Sequence, residues 1–158
     1  MWVSTKSIFS VSVKRALRTV LLTSALLGGA QPLWAYQIVI IQQMSFVRTD
    51  AGKRQVIVSQ PDSGQACLVN IKGGKPGDLI AISVVEKTVL LKNLSDFYDP
   101  GVRVTDFQMG GDLRLDNKAY FNRNGEVNHI RIGATATTHK DNVGGQYAGA
   151  ATIRILNI

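Results

Sequence analysis

Apolar and polar positions alternate through most of this chain, and the alternation is plainest in its last fifteen residues. There Tyr147, Gly149, Ala151, Ile153 and Ile155 share one face, and Ala148, Ala150, Thr152, Arg154 and Leu156 the other, the two-residue period of a β-strand. The longest alternating run, Glu126 to Thr138, puts Ile130, Ile132, Ala134 and Ala136 inward and His129, Arg131, Thr135 and Thr137 outward. Near the start, Ile38, Ile40, Met44 and Phe46 fall on one face of a strand over residues 36–46. Shorter strands are predicted at 55–59, 66–72, 79–85, 89–94, 102–107 and 112–116. Turn residues lie between them: Asp50-Ala51-Gly52, Gln60-Pro61-Asp62-Ser63-Gly64, Gly73 to Asp78, Asp99-Pro100-Gly101 and Asn122-Arg123-Asn124-Gly125. Proline presets φ in such turns and glycine takes positive φ. The Gly73–Gly77 and Asn122–Gly125 stretches read as hairpin turns, and Gly110-Gly111 as the end of a strand. No helical period appears after residue 35. Short strands with turn signals at this spacing predict an all-β fold, an antiparallel β-sandwich in one domain over 36–158. The strand placed last must pair with strands made much earlier.

Residues 1–35 follow another pattern. Lys6, Lys14, Arg15 and Arg18 precede the apolar run Val20–Leu27, and Leu33-Trp34-Ala35 offers a cleavage site, with Ala30 as the alternative. This is the layout of a secretory signal peptide, and its long basic region leaves room for a start codon further in. A transmembrane anchor over 19–41 is the rival reading, but Gln31, Pro32 and Gln37 interrupt it and the unbroken apolar run is too short to span a bilayer. The expectation is an exported protein, periplasmic, on the cell surface or extracellular, that begins at Tyr36 and has no membrane span after cleavage.

Cleavage changes the charge. The whole chain is +7, but four of its 18 basic residues and none of its 11 acidic ones precede Tyr36, so 14 basic residues against 11 acidic leave +3. The basic residues are scattered singly rather than set in a stripe among aromatics, which argues against nucleic-acid binding. The lone Cys67 shares parity with Val69 and Ile71. It forms no internal disulfide and reads as a small buried hydrophobe.

Candidate chemistry is sparse. His129 and His139 are too far apart on one strand to bind a metal together, and both read as surface residues. Asp96, Asp99, Asp106, Asp112 and Asp116 lack the spacing of a calcium loop and read as polar turns. There is no nucleophile elbow, and the glycines at 73–77 precede no phosphate-binding helix. No catalytic residue, metal ligand or cofactor is expected, and the protein is not read as an enzyme. Tyr147 is expected to pack at the start of its strand with its hydroxyl satisfied.

Asn70 to Ile82, with Gly73 and Gly77, forms a pattern together with Met44-Ser45-Phe46, Leu113 to Asp116, Ile130 to Ala134 and the closing Gly145-Gln146-Tyr147-Ala148-Gly149. The set resembles the bacterial family called domain of unknown function 4402, and its ending is similar to the last strand of some fimbrial major subunits. The chain departs from the family at Val47, where glycine is frequent, and at Cys67 and Val69, where an aromatic is common. The resemblance implies an immunoglobulin-like or pilin-like sandwich at a bacterial surface, and gives Gly73, Gly77, Gly145, Tyr147 and Gly149 structural roles. Two readings of function follow. The first is a structural, pilin-like subunit that self-assembles, or is held by a periplasmic chaperone or assembly partner, through strand pairing. The alternative is a monomeric surface adhesin or carbohydrate-binding module without catalysis. In the first, the strand bearing Ile38, Ile40, Met44 and Phe46 is the swappable element, because it lies directly behind the cleavage site and is too apolar to stay in water.

Overall fold

The computed structural model describes residues 8–12 and 36–158. The signal-peptide expectation falls on residues 1–35 and, apart from Ile8–Ser12, lies outside the described residues. Every regular element among those described is a strand: β1 (Ile8–Ser12), β2 (Gln37–Gln42), β3 (Val56–Ser59), β4 (Cys67–Lys72), β5 (Leu79–Val84), β6 (Val89–Asn93), β7 (Val102–Gly111), β8 (Lys118–Tyr120), β9 (Glu126–Thr137) and β10 (Tyr147–Asn157).

The protein is an all-β, antiparallel β-sandwich. Its strands neighbour one another in the order β2-β4-β9-β7-β6-β10-β5-β8, with β3 beside the far half of β9. The path folds over at β6, which pairs with β7 on one side and β10 on the other. Between the layers lie Val69, Ile71, Ile80, Ile82, Leu91, Val104, Ile130 and Ile153, all nearly or wholly buried. At roughly 1.5–3 kcal/mol for each large apolar side chain, this burial is the main driving force for folding. One pairing is parallel: β1 lies along β10.

Among the described strands only β6 and β7 are both consecutive in sequence and paired, so the predicted hairpins need correction. The Gly73–Asp78 turn joins β4, which pairs with β2 and β9, to β5, which pairs with β10 and β8. The Asn122–Gly125 turn joins β8 to β9, which do not pair with each other. Both turns are corners where the chain changes layer, and they dock on one another: Gly74 N–H donates to the Gly125 carbonyl at 3.0 Å, and Gly77 N–H to the Phe121 carbonyl at 2.9 Å. Gly125 has φ 71°, and a Cβ there would lie 2.3 Å from the Gly74 oxygen. The fit admits no side chain at that point.

Two strand boundaries also differ. β7 continues through Gly110 and Gly111, because a register shift between Thr105 and Gln108, with Asp106 at φ 52°, lets it keep pairing with β9 beyond the irregularity. The strand expected at 112–116 is absent. Instead Arg114 and Lys118 close a turn, Arg114 N–H donating to Lys118 and Asn117 N–H to Arg114, both at 2.9 Å. Asn117 takes φ 59° and Leu115 stands exposed. Alternation of Leu113 and Leu115 suggested a strand, but asparagine tolerates the left-handed conformation and the turn forms there.

Candidate strand-pairing site

The residues expected to carry assembly sit at one edge of the sandwich. β2 pairs only with β4, Ile38 opposite Ile71 and Ile40 opposite Val69, with a register shift before Gln42. Regular strand ends there. Gln42 holds the chain by donating from Nε2 to the carbonyls of Gly64 and Ala66, and Ser45 N–H donates to the Gln65 carbonyl. Met44 and Phe46 then enter the core at 1% and 8% exposure, while Ile38 and Ile40 are half-buried against it. Tyr36 stacks on Phe121 with ring centroids 5.3 Å apart. Burial raises its pKa, and Asp78 adds to the shift.

At the other side β10 has two edges of unlike character. Gln146 and Thr152 accept through their carbonyls from Leu94 and Val85, and Ile158 N–H donates to Leu79. The even-numbered residues thus face β5 and β6. Where the chain bulges away between those strands, Glu86 takes its place: its carboxylate accepts from Thr152 N–H and Oγ1–H, each at 2.7 Å. Because backbone direction alternates along a strand, the odd-numbered residues turn their N–H and C=O groups to the outer edge. β1 lies on that edge, Ile8 to Ser12 in register with Ala148 to Thr152. Ala148 has Lys92 of β6 as its partner on one side and Ile8 on the other.

The start of β10 is fixed by a polar clamp. Tyr147 is buried, and its hydroxyl lies 2.6 Å from Asp99 Oδ2 and 2.7 Å from the Val143 carbonyl, its one proton serving these two acceptors. Asp99 also accepts from Val143 N–H at 2.8 Å, Gly101 N–H at 2.7 Å and Asn142 Nδ2 at 2.7 Å. Partial burial works to raise the Asp99 pKa, but the donors, Tyr147 first, together outweigh it and hold it below the ordinary carboxylate value. For Tyr147, burial and then the hydrogen bond to Asp99 push the phenol well above its usual range. Asn93 Oδ1 caps Ser95 and Asp96, while its buried Nδ2 has no hydrogen-bond partner of good geometry among the described residues. Gly145 and Gly149 are glycines because of close neighbours: a Cβ would lie 2.8 Å from the Asn93 side chain and 2.7 Å from Leu91 Cδ2, respectively. Gly73 and Gly77 take φ 84° and 88° in the first corner turn.

The structure thus places Ile38, Ile40, Met44 and Phe46 together at the β2 edge. It sets Gly145, Tyr147 and Gly149 at β10, and Gly73 and Gly77 at the corner between layers. The β1 pairing, the Asp99 clamp and the Glu86–Thr152 bridge were missed in the sequence. Asp99-Pro100-Gly101 signals a turn but names no partner 48 residues away, and nothing in the basic stretch before Tyr36 marks a strand. The other candidates are used locally. Asp96 caps Tyr98 N–H, Asp106 accepts from Thr105, Asp116 pairs with Lys118, and His129 and His139 meet Asp112 and Asp141 at 3.2 Å. Among the described residues no three His, Cys, Asp or Glu side chains converge on a metal-sized site, and no helix is long and apolar enough to cross a membrane. Cys67 is buried, and burial pushes its thiol up to about 11 against a lowering hydrogen bond from Met44.

No family model matches the chain, and neither a curated protein nor a solved structure matches it. The resemblance to domain of unknown function 4402 rests on the motif residues alone.

Proposed function

We propose that the chain is an exported bacterial surface or periplasmic structural protein, a pilin-like or fimbria-like subunit of the 4402 type that assembles through β-strand pairing and has no catalytic role. The observation that supports it is the parallel strand on the outer edge of β10. A segment from outside the 36–158 sandwich adds to that edge through main-chain bonds, as a strand from another copy or from a periplasmic assembly partner would. An unpaired edge of this kind is a template for another chain unless it is covered. The decisive experiment is the solution mass of the exported form beginning at Tyr36, measured by sedimentation over a wide concentration range. Concentration-dependent oligomers whose formation is blocked by a lysine at Ala150 or a proline at Ala151 support strand pairing. A monomer at every concentration refutes self-assembly.

One observation favours the second reading, a non-catalytic adhesin or carbohydrate-binding module. Phe97 and Tyr98 are 94% and 99% exposed on a loop held rigid by Asn93, Asp96 and Asp99. Prepositioned exposed aromatics bind with little ordering cost. A glycan array probed with the exported form, and with Phe97→Ala/Tyr98→Ala as control, tests that reading.

A further inference from the structure

We propose that the pocket between loop 60–65 and the outer face of the sheet binds a small hydroxycarboxylate, with Arg131 as the residue that takes the carboxylate. Register places Gln42, Leu68, Arg131 and Gly110 in one row across β2, β4, β9 and β7. Cys67, Val69, Ile130 and Ile132, which flank Leu68 and Arg131 along their strands, are buried in the core. The row itself therefore faces outward. Loop 60–65 crosses above it. A Cβ on Gly110 would lie 2.8 Å from Pro61 Cβ, and one on Gly133 would lie 2.2 Å from the Ser59 oxygen. The loop comes this close because both positions are glycine. On the β2 side, Gln42 Nε2 ties the loop down by donating to the Gly64 and Ala66 carbonyls at 2.6 and 2.8 Å. Between these anchors a pocket of about 80 Å³ remains, lined by Gln42, Ser63, Gly64, Ala66, Leu68 and Arg131.

The charge of this pocket is unbalanced. Half-buried Arg131 is the one charged residue in its lining. Among the described residues its guanidinium makes a single hydrogen bond, from Nη1 to the Asp62 carbonyl at 3.4 Å, and no ion pair. Asp62 thus offers its main chain and leaves the positive charge unneutralised. A guanidinium presents five donors in a planar fork that matches a carboxylate, and the protein takes up little of that capacity. Gln42 has its amide nitrogen committed to two carbonyls, which leaves Oε1 as an acceptor for a hydroxyl. One cation suits a monovalent carboxylate better than a phosphate dianion. Ala66 and Leu68 supply an apolar wall for the carbon that bears it. The space holds a carboxyl group and its neighbouring carbon rather than a whole sugar ring. The remainder of a larger ligand would lie over the exposed Gln42 and Gly64. This site rests on neither strand pairing nor the Phe97–Tyr98 surface.

Nuclear magnetic resonance titration of the full-length protein tests it, with the Gly64 amide and the Arg131 Nε–H as reporters. The probes are sodium glucuronate, sodium lactate and, as the counterpart without a carboxylate, glucose. Both reporters should shift saturably with the acids and stay still with glucose. Tighter binding of glucuronate assigns a sugar acid, and tighter binding of lactate a free hydroxy acid. Arg131→Lys keeps the charge but loses the fork, so affinity should fall at least ~10-fold. Gly64→Asp adds a like charge at the pocket where a Cβ meets nothing within 4 Å. It should abolish binding while the melting temperature is unchanged, which separates loss of the site from loss of the fold. Phe97→Ala/Tyr98→Ala should bind as the unaltered protein does. The inference is overturned if neither acid shifts the reporters saturably, if affinity survives both Arg131→Lys and Gly64→Asp, or if binding is lost in the aromatic double variant.

Discussion

The two outer edges, β2 and β10, are built on opposite terms. β2 brings its own apolar weight: Ile38 and Ile40 lean on the core, and Met44 and Phe46 just beyond it are inside the core. The β10 edge over 148–152 brings only small residues, and its neighbour comes from outside the sandwich. Removing β2 leaves a hole in the core, whereas removing β1 leaves an exposed row of main-chain groups. The lesson is that an edge of this sandwich is held either by the apolar side chains it carries, as at β2, or by main-chain pairing alone, as at the small residues of β10.

The sharpest way to break that contrast is deletion. A chain starting at Ser45 loses Met44 with all of β2, and truncating just one such buried side chain costs about 2–5 kcal/mol. It should be unfolded or aggregated by circular dichroism and sedimentation, and a peptide of residues 36–46 should restore it. A soluble, folded monomer without peptide would show that β2 is not a core strand. The single change Phe46→Ala should cost about 3–5 kcal/mol in urea unfolding.

The clamp at the start of β10 supplies the next effect. Tyr147→Phe removes a hydrogen bond to a charged group, a loss of about 1.5–3 kcal/mol. Because Asp99 has a lowered pKa in the folded protein, its contribution is complete above the ordinary value of 3.8. It is lost as pH falls through the lower folded value. The unaltered protein should therefore lose more stability between pH 5 and 2 than Asp99→Asn does, by thermal melts across that range; parallel curves would remove Asp99 from the account.

Glu86→Gln tests what holds the inner edge of β10. The amide keeps one acceptor for two donors, so a loss of about 1 kcal/mol is expected, with faster exchange at the Thr152 amide. The smallest effect belongs to Cys67, which lines a small apolar cavity with Met44, Phe107, Ile132 and Ala151. Cys67→Val nearly conserves volume and should shift stability by less than about 1.5 kcal/mol. Its native thiol should resist a reagent at pH 8, since it is buried and titrates near 11. Rapid labelling of the folded protein would mean that the cavity opens to solvent.

Much of this was legible in the residues. Period-two alternation marked β9 and β10 and the inward set Ile130, Ile132, Ala134, Ala136, Ala151 and Ile153, because in a sheet with one buried face each strand must declare which face that is. Buried Cys67 and a satisfied Tyr147 hydroxyl were legible for the same reason. Leu113 and Leu115 misled, since two alternating leucines cannot outweigh a turn at Asn117 that is closed by its own main-chain bonds. The bulge at Asp106–Phe107 was invisible, because an inserted residue is a property of two strands and the sequence shows one at a time.

By itself, then, the chain determined that most of the sandwich strands extend, among them β2 to β7, β9 and β10, which face of the longest is apolar, and that glycine stands at Gly73 and Gly77 where φ is positive. These follow from steric and hydration rules that act within a few residues. Only the tertiary structure decided that the two turns are corners rather than hairpins, that Asp99 meets Tyr147, and that Glu86 fills the gap beside Thr152. It alone laid Ile8–Ser12 along β10. Strand partners are chosen by the total burial and hydrogen bonding of the assembled sheet, so contacts between residues tens of positions apart leave no local signature.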